Sequence, residues 1–170
     1  AQSRALEEAF LRYNVPYRII GGIKFYERRE IKDLIAYLRS IVNPADWVSV
    51  ERIVNVPARS LGANSWKKIE AQCRSIGVTY LDISAEQLPQ LRSQQHDAFL
   101  KFLALMKSLN QKIEKLTPSE ALELVVKLTH FKDQYDTKLP EDASRLENIE
   151  ELKSVTKKFD NKIGSVGILA

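Results

Sequence analysis

The stretch Glu27-Arg-Arg-Glu-Ile-Lys-Asp-Leu-Ile-Ala-Tyr-Leu-Arg-Ser-Ile-Val42 carries the clearest helical pattern in the chain. Its apolar side chains recur at spacings of three and four, which places them on one face of an α-helix: Ile31, Leu34, Ile35, Leu38, Ile41 and Val42. Such a stripe faces a core, and Asn43-Pro44 predicts the end of the helix. We therefore expect the rest of the fold to pack around this segment.

Two short helices joined by a turn are predicted next. Residues 49–56 form the first helix, which Pro57 ends, and residues 58–62 form the turn. The second helix ends at Gly77 and is indicated by apolar side chains at helical spacing: Trp66, Ile69, Cys73 and Ile76. Trp66 belongs to this apolar stripe, so we expect it in the core, whereas the pattern leaves the place of Trp47 open.

The second half of the chain is also predicted to be helical. Residues 97–116 form a long amphipathic helix, and Thr117-Pro118-Ser119-Glu120 opens another with a capping box and a proline at the first helical position. Ser144 and Glu147 repeat the capping pattern and begin a last helix, after a polar connection over residues 132–141. The expected fold class is therefore mainly α, a compact helical bundle.

One segment near the start of the chain predicts a strand. Tyr17-Arg-Ile-Ile20 lies between Pro16 and the pair Gly21-Gly22, and a helix is predicted over residues 4–13 before it. One strand cannot make a sheet. We therefore expect a short helix-strand remnant of an α/β unit whose other strands lie outside this chain.

Charge and composition permit some partners and exclude others. The net charge is +4, and residues 1–70 account for all of it, since they hold 12 basic and 8 acidic side chains. This uneven distribution permits attraction to a polyanion. Cys73, His96 and His130 are too few and too scattered for a disulfide framework or a zinc site. No apolar run approaches the roughly 20 residues of a membrane-spanning helix, so we expect no membrane partner and a cytoplasmic location.

Catalytic motifs are absent from the sequence. A Gly-x-x-x-x-Gly-Lys-Ser/Thr loop does not occur, and Gly21-Gly-Ile-Lys24 lacks both the spacing and the hydroxyl that binds magnesium. Adjacent carboxylates such as Glu7-Glu8 point apart on a helix, so a solvated face explains them better than acid-base chemistry. We expect no metal, no bound cofactor and no stand-alone enzymatic activity in this chain.

A binding motif is indicated at Asn55-Val-Pro-Ala-Arg-Ser-Leu-Gly62 and the helix after it, which resemble a helix-hairpin-helix. In such a motif, free backbone amides and the positive end of a helix approach a DNA phosphate without reading base identity. Asn64 or Ser65 is predicted to cap the helix, and Arg59, Lys67 and Lys68 are placed to add charge. The alternative interpretation is a helical turn with scattered surface lysines.

Four blocks in register resemble the UvrD/Rep/PcrA family of DNA helicases over residues 1–160. Gly21-Gly-Ile-Lys-Phe-Tyr-Glu-Arg-Arg-Glu-Ile-Lys-Asp33 is similar to the passage from the family's second RecA-like subdomain, 2A, into its helical insertion, 2B. Ala1-Gln-Ser-Arg4 resembles the end of helicase motif IV, Arg52-Ile-Val-Asn-Val-Pro-Ala-Arg59 the block before the family's Gly-Ile-Gly turn, and Arg145-Leu-Glu-Asn-Ile-Glu-Glu-Leu152 a late 2B helix.

This resemblance implies roles for individual residues. Arg4 matches the motif IV arginine, which in the family stabilises charge on the ATP γ-phosphate; without the parent's nucleotide site it has nothing to reach. ATP and magnesium are thus implied for the parent and none for this chain. A junction or hinge role is implied for Gly21, Gly22, Phe25, Tyr26, Glu27 and Arg28.

The Gly-Ile-Gly turn that the family uses on the duplex backbone stands here as Ser60-Leu61-Gly62, so its first glycine is missing. If that position needs a positive φ or a close phosphate approach, serine weakens the grip, although its hydroxyl can itself donate to a phosphate. The predicted DNA contacts are Arg59, Ser60, Gly62, Ala63, Asn64, Lys67 and Lys68.

The leading hypothesis is the duplex-DNA-binding and regulatory 2B portion of an ATP-dependent 3′-5′ DNA helicase, acting at a single-strand/duplex junction in repair or replication. Residues 1–26 would be the 2A remnant and junction, residues 27–160 the 2B-like domain, and residues 161–170 a tail or connection. The rival hypothesis is a helical protein-interaction or autoinhibitory module that docks repair or transcription proteins. That module would need an exposed apolar patch away from the basic turn.

Overall fold

The computed structural model describes residues 25–161, and α-helices make up most of this part of the chain. The helices are α1 Arg29–Val42, α2 Trp47–Ile53, α3 Ala63–Ile76, α4 Ser93–Ile113, α5 Pro118–Leu128 and α6 Pro140–Thr156. Short 3-10 turns lie at Phe25–Glu27, Ala85–Gln87, Phe131–Gln134 and Lys157–Phe159. The mainly α fold class is confirmed for these residues. The predicted helix-strand segment, with Arg4, Gly21 and Gly22, lies outside them.

Helix α1 lies at the centre of the bundle, in contact with α2, α4, α5 and α6. Most of the predicted stripe is buried, with Ile31, Leu34 and Ile41 fully inaccessible to solvent, while Ile35 and Val42 are partly buried. Burial extends beyond the stripe to Ala36 and Tyr37, because neighbours pack on more than one side of the helix. The segment that dominates the sequence pattern is thus the element on which most of the others pack.

Two acidic side chains of α1 are buried together with its apolar face. Asp33 accepts an ion-paired hydrogen bond from Arg52 Nε on α2 at 2.7 Å, and Glu30 accepts from Asn148 Nδ2 on α6 at 2.7 Å. Burial raises the pKa of Asp33, and the Arg52 guanidinium acts in the opposite direction. These bonds fix α2 and α6 against one end of α1, since leaving either carboxylate unpaired would be costly.

Several helix ends differ from the sequence prediction. Helix α2 begins at Trp47, two residues early, because the Asp46 side chain accepts from Ser49 N at 3.1 Å and caps it. Helix α4 begins at Ser93 and not at residue 97, since its polar first turn carries no apolar signal. Helix α6 begins at Pro140, where a proline is compatible with the first turn, and not at the predicted Ser144.

Other predicted boundaries are confirmed. Thr117 and Glu120 form the expected capping box at the start of α5, with Thr117 N donating to Glu120 Oε2 at 2.9 Å. Gly77 follows α3 with φ +72°, the left-handed conformation that a C-terminal glycine supplies. Of the helices described here, none combines the length and the apolar composition that crossing a bilayer requires.

Replacing Leu34 with alanine tests the central position of α1. Leu34 is fully buried, so Leu34→Ala should lower the free energy of unfolding by about 3 kcal/mol through lost burial and the cavity left behind. Urea denaturation measures this loss. Lys32→Ala on the exposed side of the same helix is the control and should change stability by less than about 0.5 kcal/mol. Equal losses for the two variants would contradict the central role of the stripe.

Candidate nucleic-acid interface

Residues 54–62, here called the Asn55 turn, join α2 to α3. The side chain of Asn55 bridges this turn, because its Oδ1 accepts from Arg59 N at 2.7 Å and from Leu61 N at 3.1 Å. Leu61 is buried in the core. One amide oxygen therefore holds the two ends of the loop together and fixes the backbone that leads into α3.

Arg59 lies against the inside of the Asn55 turn. Its Nη1 donates to the carbonyl oxygens of Ile53 at 3.1 Å and Val56 at 3.0 Å, and its guanidinium lies 5.4 Å from the ring centroid of Phe102. Its Nη2 donates to the hydroxyl of Tyr37. The sequence predicts that Arg59 contacts DNA. In the structure, both of its terminal guanidinium nitrogens donate to protein acceptors, so Arg59 braces the turn.

Tyr37 connects this brace to the central helix. Its side chain is fully buried, and its hydroxyl donates to Val56 O while accepting from Arg59. Burial raises the pKa of Tyr37 to about 12, so the phenol stays protonated and keeps its donor at physiological pH. The Asn55 turn is therefore bonded directly to the middle of α1.

Ser60 adopts the left-handed conformation, with φ +63°. Ser60 stands where the Gly-Ile-Gly turn of the resembled family has its first glycine. The backbone of this turn therefore does adopt a positive φ at its first position. A residue with a Cβ costs about 1–2 kcal/mol in this conformation. The Ser60 hydroxyl accepts from Gln94 Nε2 at the start of α4, at 3.1 Å, which offsets part of that cost.

Gly62 has an ordinary extended backbone, with φ −66° and ψ 167°, and is the N-cap of α3. Its carbonyl oxygen accepts from Ser65 N at 3.0 Å and from Trp66 N at 3.1 Å. The predicted caps Asn64 and Ser65 are therefore wrong, because both lie inside the helix. A Cβ added to Gly62 would meet nothing within 4 Å, so neighbouring atoms do not require a glycine at this position.

The first turn of α3 presents unused donors to solvent. Within the part of the chain that the structure describes, the amides of Ala63 and Asn64 meet no acceptor, as expected at a helix start without a side-chain cap. Gly62, Ala63 and Asn64 are exposed. Lys67 and Lys68 are also exposed, and neither forms an ion pair with an acid of the described residues. This group, Gly62–Asn64 with Lys67 and Lys68, is called the α3 start below.

Residues that the sequence did not indicate lie beside the α3 start. Gln94 contacts Ser60, and Arg92 and Gln95 line a cleft together with Asn64 and Lys68. In the sequence, Arg92 and the polar residues 93–95 that follow it could have indicated an earlier helix start with a positive charge beside it. It was missed because the helix was predicted to begin at residue 97, which left Arg92 in a loop of unknown position.

The predicted junction residues of the described part lie at the start of α1. Phe25 is buried, and Tyr26 packs edge-on against it with ring centroids 5.1 Å apart. Arg28 donates from Nη1 to Asn148 Oδ1 on α6, and its guanidinium lies 5.5 Å from the Phe25 ring centroid. Glu27 is exposed. The start of α1 is thereby anchored to the last long helix.

The two tryptophans pack against each other. Trp66 is fully buried, which confirms its predicted place in the core. Trp47 is half-buried, with its ring centroid 6.2 Å from that of Trp66 and with the Arg74 guanidinium 4.9 Å from its centroid. Arg74 and Trp66 thus occupy space around the Trp47 ring that a stacked base would need.

Substituting Ser60 with glycine tests the strain in the Asn55 turn. Ser60→Gly should raise the free energy of unfolding by about 0.5–1 kcal/mol, because relief of the left-handed strain exceeds the lost Gln94 bond and the added freedom of the unfolded chain. Urea denaturation checks this. Ser60→Ala is the matched control: it removes the hydroxyl but keeps the strain, so it should give no gain. A loss of stability in both variants would show that Ser60 is unstrained.

Comparison with known proteins places the chain in a family. Residues 1–167 match the model of the UvrD-like helicase C-terminal domain. ATP-dependent DNA helicase PcrA of Leuconostoc citreum is 41% identical over 165 residues, which cover 95% of this chain and 22% of that protein. The protein of the same name from Bacillus subtilis is 38% identical over 164 residues, with 95% and 22% covered. ATP-dependent DNA helicase PcrA of Staphylococcus epidermidis is 38% identical over 162 residues, with 94% and 22% covered.

The chain therefore spans about a fifth of the length of these curated relatives. The match covers nearly all of the chain, including the Asn55 turn, the α3 start and the anchored start of α1. The chain belongs to the UvrD-like helicase family, as a PcrA-type form of that family's C-terminal domain.

Proposed function

We propose that this chain is the duplex-DNA-binding and regulatory 2B portion of an ATP-dependent 3′-5′ DNA helicase that works in the cytoplasm on repair or replication intermediates. Relatives at 38–41% identity carry the name ATP-dependent DNA helicase, which supports the activity of the whole protein. Residues 27–160 would form 2B, residues 1–26 the remnant of 2A with the junction, and residues 161–170 the connection that follows.

The observation that carries the proposal is the open space at Gly62. Its φ is ordinary and a Cβ at this position would have no neighbour within 4 Å, so the fold itself does not require a glycine here. An external group that approaches the backbone closely explains the glycine better. The group must accept hydrogen bonds from the adjacent amides of Ala63 and Asn64. A phosphate oxygen satisfies this requirement, and the positive end of α3 stabilises its charge.

The charges around Gly62 favour the same ligand. Lys67 and Lys68 lie one turn into α3 and are free of acidic partners among the described residues. Amides and lysines of this kind bind phosphates of any sequence, so the grip positions a duplex without reading its bases. Binding should then weaken as salt rises, because counterions are released from the DNA backbone.

Hydrolysis of ATP would be supplied by the rest of the helicase. The sequence of this chain has no Gly-x-x-x-x-Gly-Lys-Ser/Thr loop to bind the phosphates of ATP and the accompanying magnesium ion. Arg4, which lies outside the described residues, would contribute charge stabilisation at the γ-phosphate from the 2A side. For regulation, we propose that 2B moves about a hinge at Gly21 and Gly22. The other junction residues would lie at the start of α1: Phe25, Tyr26, Glu27 and Arg28.

A second candidate function, docking of repair or transcription proteins, is favoured by exposed apolar side chains away from the α3 start. Val48 is 79% exposed on α2, and Ile76 is 39% exposed at the opposite end of α3 from Gly62. A partner that uses this surface would lose affinity on Val48→Asp and keep it on Lys67→Gln and Lys68→Gln. Affinity for duplex DNA should instead fall on Lys67→Gln and Lys68→Gln and stay the same on Val48→Asp.

A pair of substitutions at Gly62 separates DNA binding from folding. Aspartate and asparagine are both good N-caps, so Gly62→Asp and Gly62→Asn should keep or raise the free energy of unfolding, by about 0.3 kcal/mol. Only aspartate adds a negative charge, so Gly62→Asp should weaken duplex binding roughly tenfold more than Gly62→Asn does. Fluorescence anisotropy with a labelled duplex measures the affinity. Equal and unchanged affinities in the two variants would refute a phosphate contact at Gly62.

A further inference from the structure

A groove with apolar and basic lining lies between the end of α4 and the first turns of α5, with a volume of about 510 Å³. Leu116 and Leu124 line it, and both are only partly buried, so each keeps apolar surface open to the groove. Lys112, Lys115 and Lys127 also line it and are exposed. This surface, called the Leu124 groove below, thus offers apolar contact and positive charge together.

The three lysines of the Leu124 groove have no acidic partner among the residues that the structure describes. Two acids share the lining, but each is already engaged. Glu120 Oε2 accepts from Thr117 N at 2.9 Å, and Glu123 pairs with Lys153 Nζ of α6 at 3.2 Å. The ammonium groups are therefore the uncommitted charges of the groove, and they favour a ligand that carries anionic groups.

The nearby start of α5 differs from the α3 start in its donors. Ser119 N donates to Asp160 Oδ1 at 2.9 Å, and the Thr117 hydroxyl caps Glu120 N. The carboxylates of Asp160 and Glu120 thus already lie at the positive end of this helix. A phosphate of nucleic acid gains little there and makes no use of the two leucines. An acidic protein segment with apolar side chains uses both features of the groove.

We propose that the Leu124 groove docks an acidic, apolar segment of a partner protein. The apolar side chains of that segment cover the two leucines, and its carboxylates pair with the three lysines. From Glu120 to Lys127, α5 rises roughly 10 Å at 1.5 Å per residue, which matches about two turns of a partner helix. This surface differs from the one at Val48 and Ile76, and the proposal does not depend on DNA binding at the α3 start.

A synthetic amphipathic peptide, with leucines at spacings of three and four and glutamates beside them, is the probe. Two matched peptides replace either the glutamates with glutamines or the leucines with serines. In an NMR titration, the first peptide should give saturable shifts of the Leu116 and Leu124 methyl groups, and each matched peptide should bind about tenfold more weakly. Absence of shifts at millimolar peptide, or shifts confined to other surfaces, would overturn the site.

A charge swap at Lys115 and Lys127 gives a readout that partial unfolding does not mimic. The double variant Lys115→Glu with Lys127→Glu should bind the acidic peptide about tenfold more weakly. It should also bind a peptide with lysines in place of the glutamates more tightly than the unmodified chain does.

The matched control is Lys101→Glu with Lys107→Glu, since both of these exposed lysines lie on α4 outside the Leu124 groove. It should weaken binding of the acidic peptide by less than about twofold, because salt screens charges that do not touch the ligand. Equal losses in the two double variants would mean attraction to the net charge of the chain and would overturn the groove.

Duplex DNA and Gly62→Asp separate this site from the α3 start. Unchanged peptide affinity in Gly62→Asp supports an independent groove, whereas a loss would place the acidic peptide at the α3 start and overturn the proposal. Lys115→Gln with Lys127→Gln should keep duplex affinity within about twofold. If duplex DNA instead shifts the Leu116 and Leu124 methyl groups and displaces the peptide, the groove belongs to a nucleic-acid surface and the protein partner is refuted.

Discussion

Burial of α1 is the constraint on which the rest of the structure depends. Helix α1 is buried on more than one side, so several neighbours must cover it, and α2, α4, α5 and α6 supply that cover. Its buried acids then restrict how two of these neighbours can pack, since Asp33 must meet Arg52 and Glu30 must meet Asn148. Apolar burial thus supplies the stability, and the polar ties select one arrangement of α2 and α6.

The candidate interface inherits its rigidity from the same helix. The Tyr37 hydroxyl bonds both to Arg59 and to Val56 O, so the Asn55 turn is fixed to the middle of α1. Asn55 then sets the course of the backbone from Arg59 to Leu61, and α3 begins after Gly62 with the amides of its first turn facing solvent. Donors that are held in place before binding lose little freedom when a phosphate arrives, which favours a backbone grip of this kind.

Much of the fold could be predicted from the sequence, because 3.6-residue periodicity, the Thr117 cap and Gly77 are local signals. The sequence also indicates that the first position of the turn is where a positive φ would matter, and Ser60 has a positive φ there. The inward course of Arg59 and the convergence of Arg92 on the α3 start could not be predicted. Both depend on how distant segments pack, and charge and spacing alone do not distinguish a bracing arginine from one that faces a ligand.

The central claim is that the start of α3 holds duplex DNA through its backbone. An NMR titration of the isotope-labelled chain with a short duplex, read one amide at a time, tests this most directly. The account predicts saturable shifts at Gly62, Ala63 and Asn64 that diminish as salt is raised and are the same for two unrelated duplex sequences. Shifts confined to residues far from the α3 start, or none at millimolar chain concentration, would contradict it.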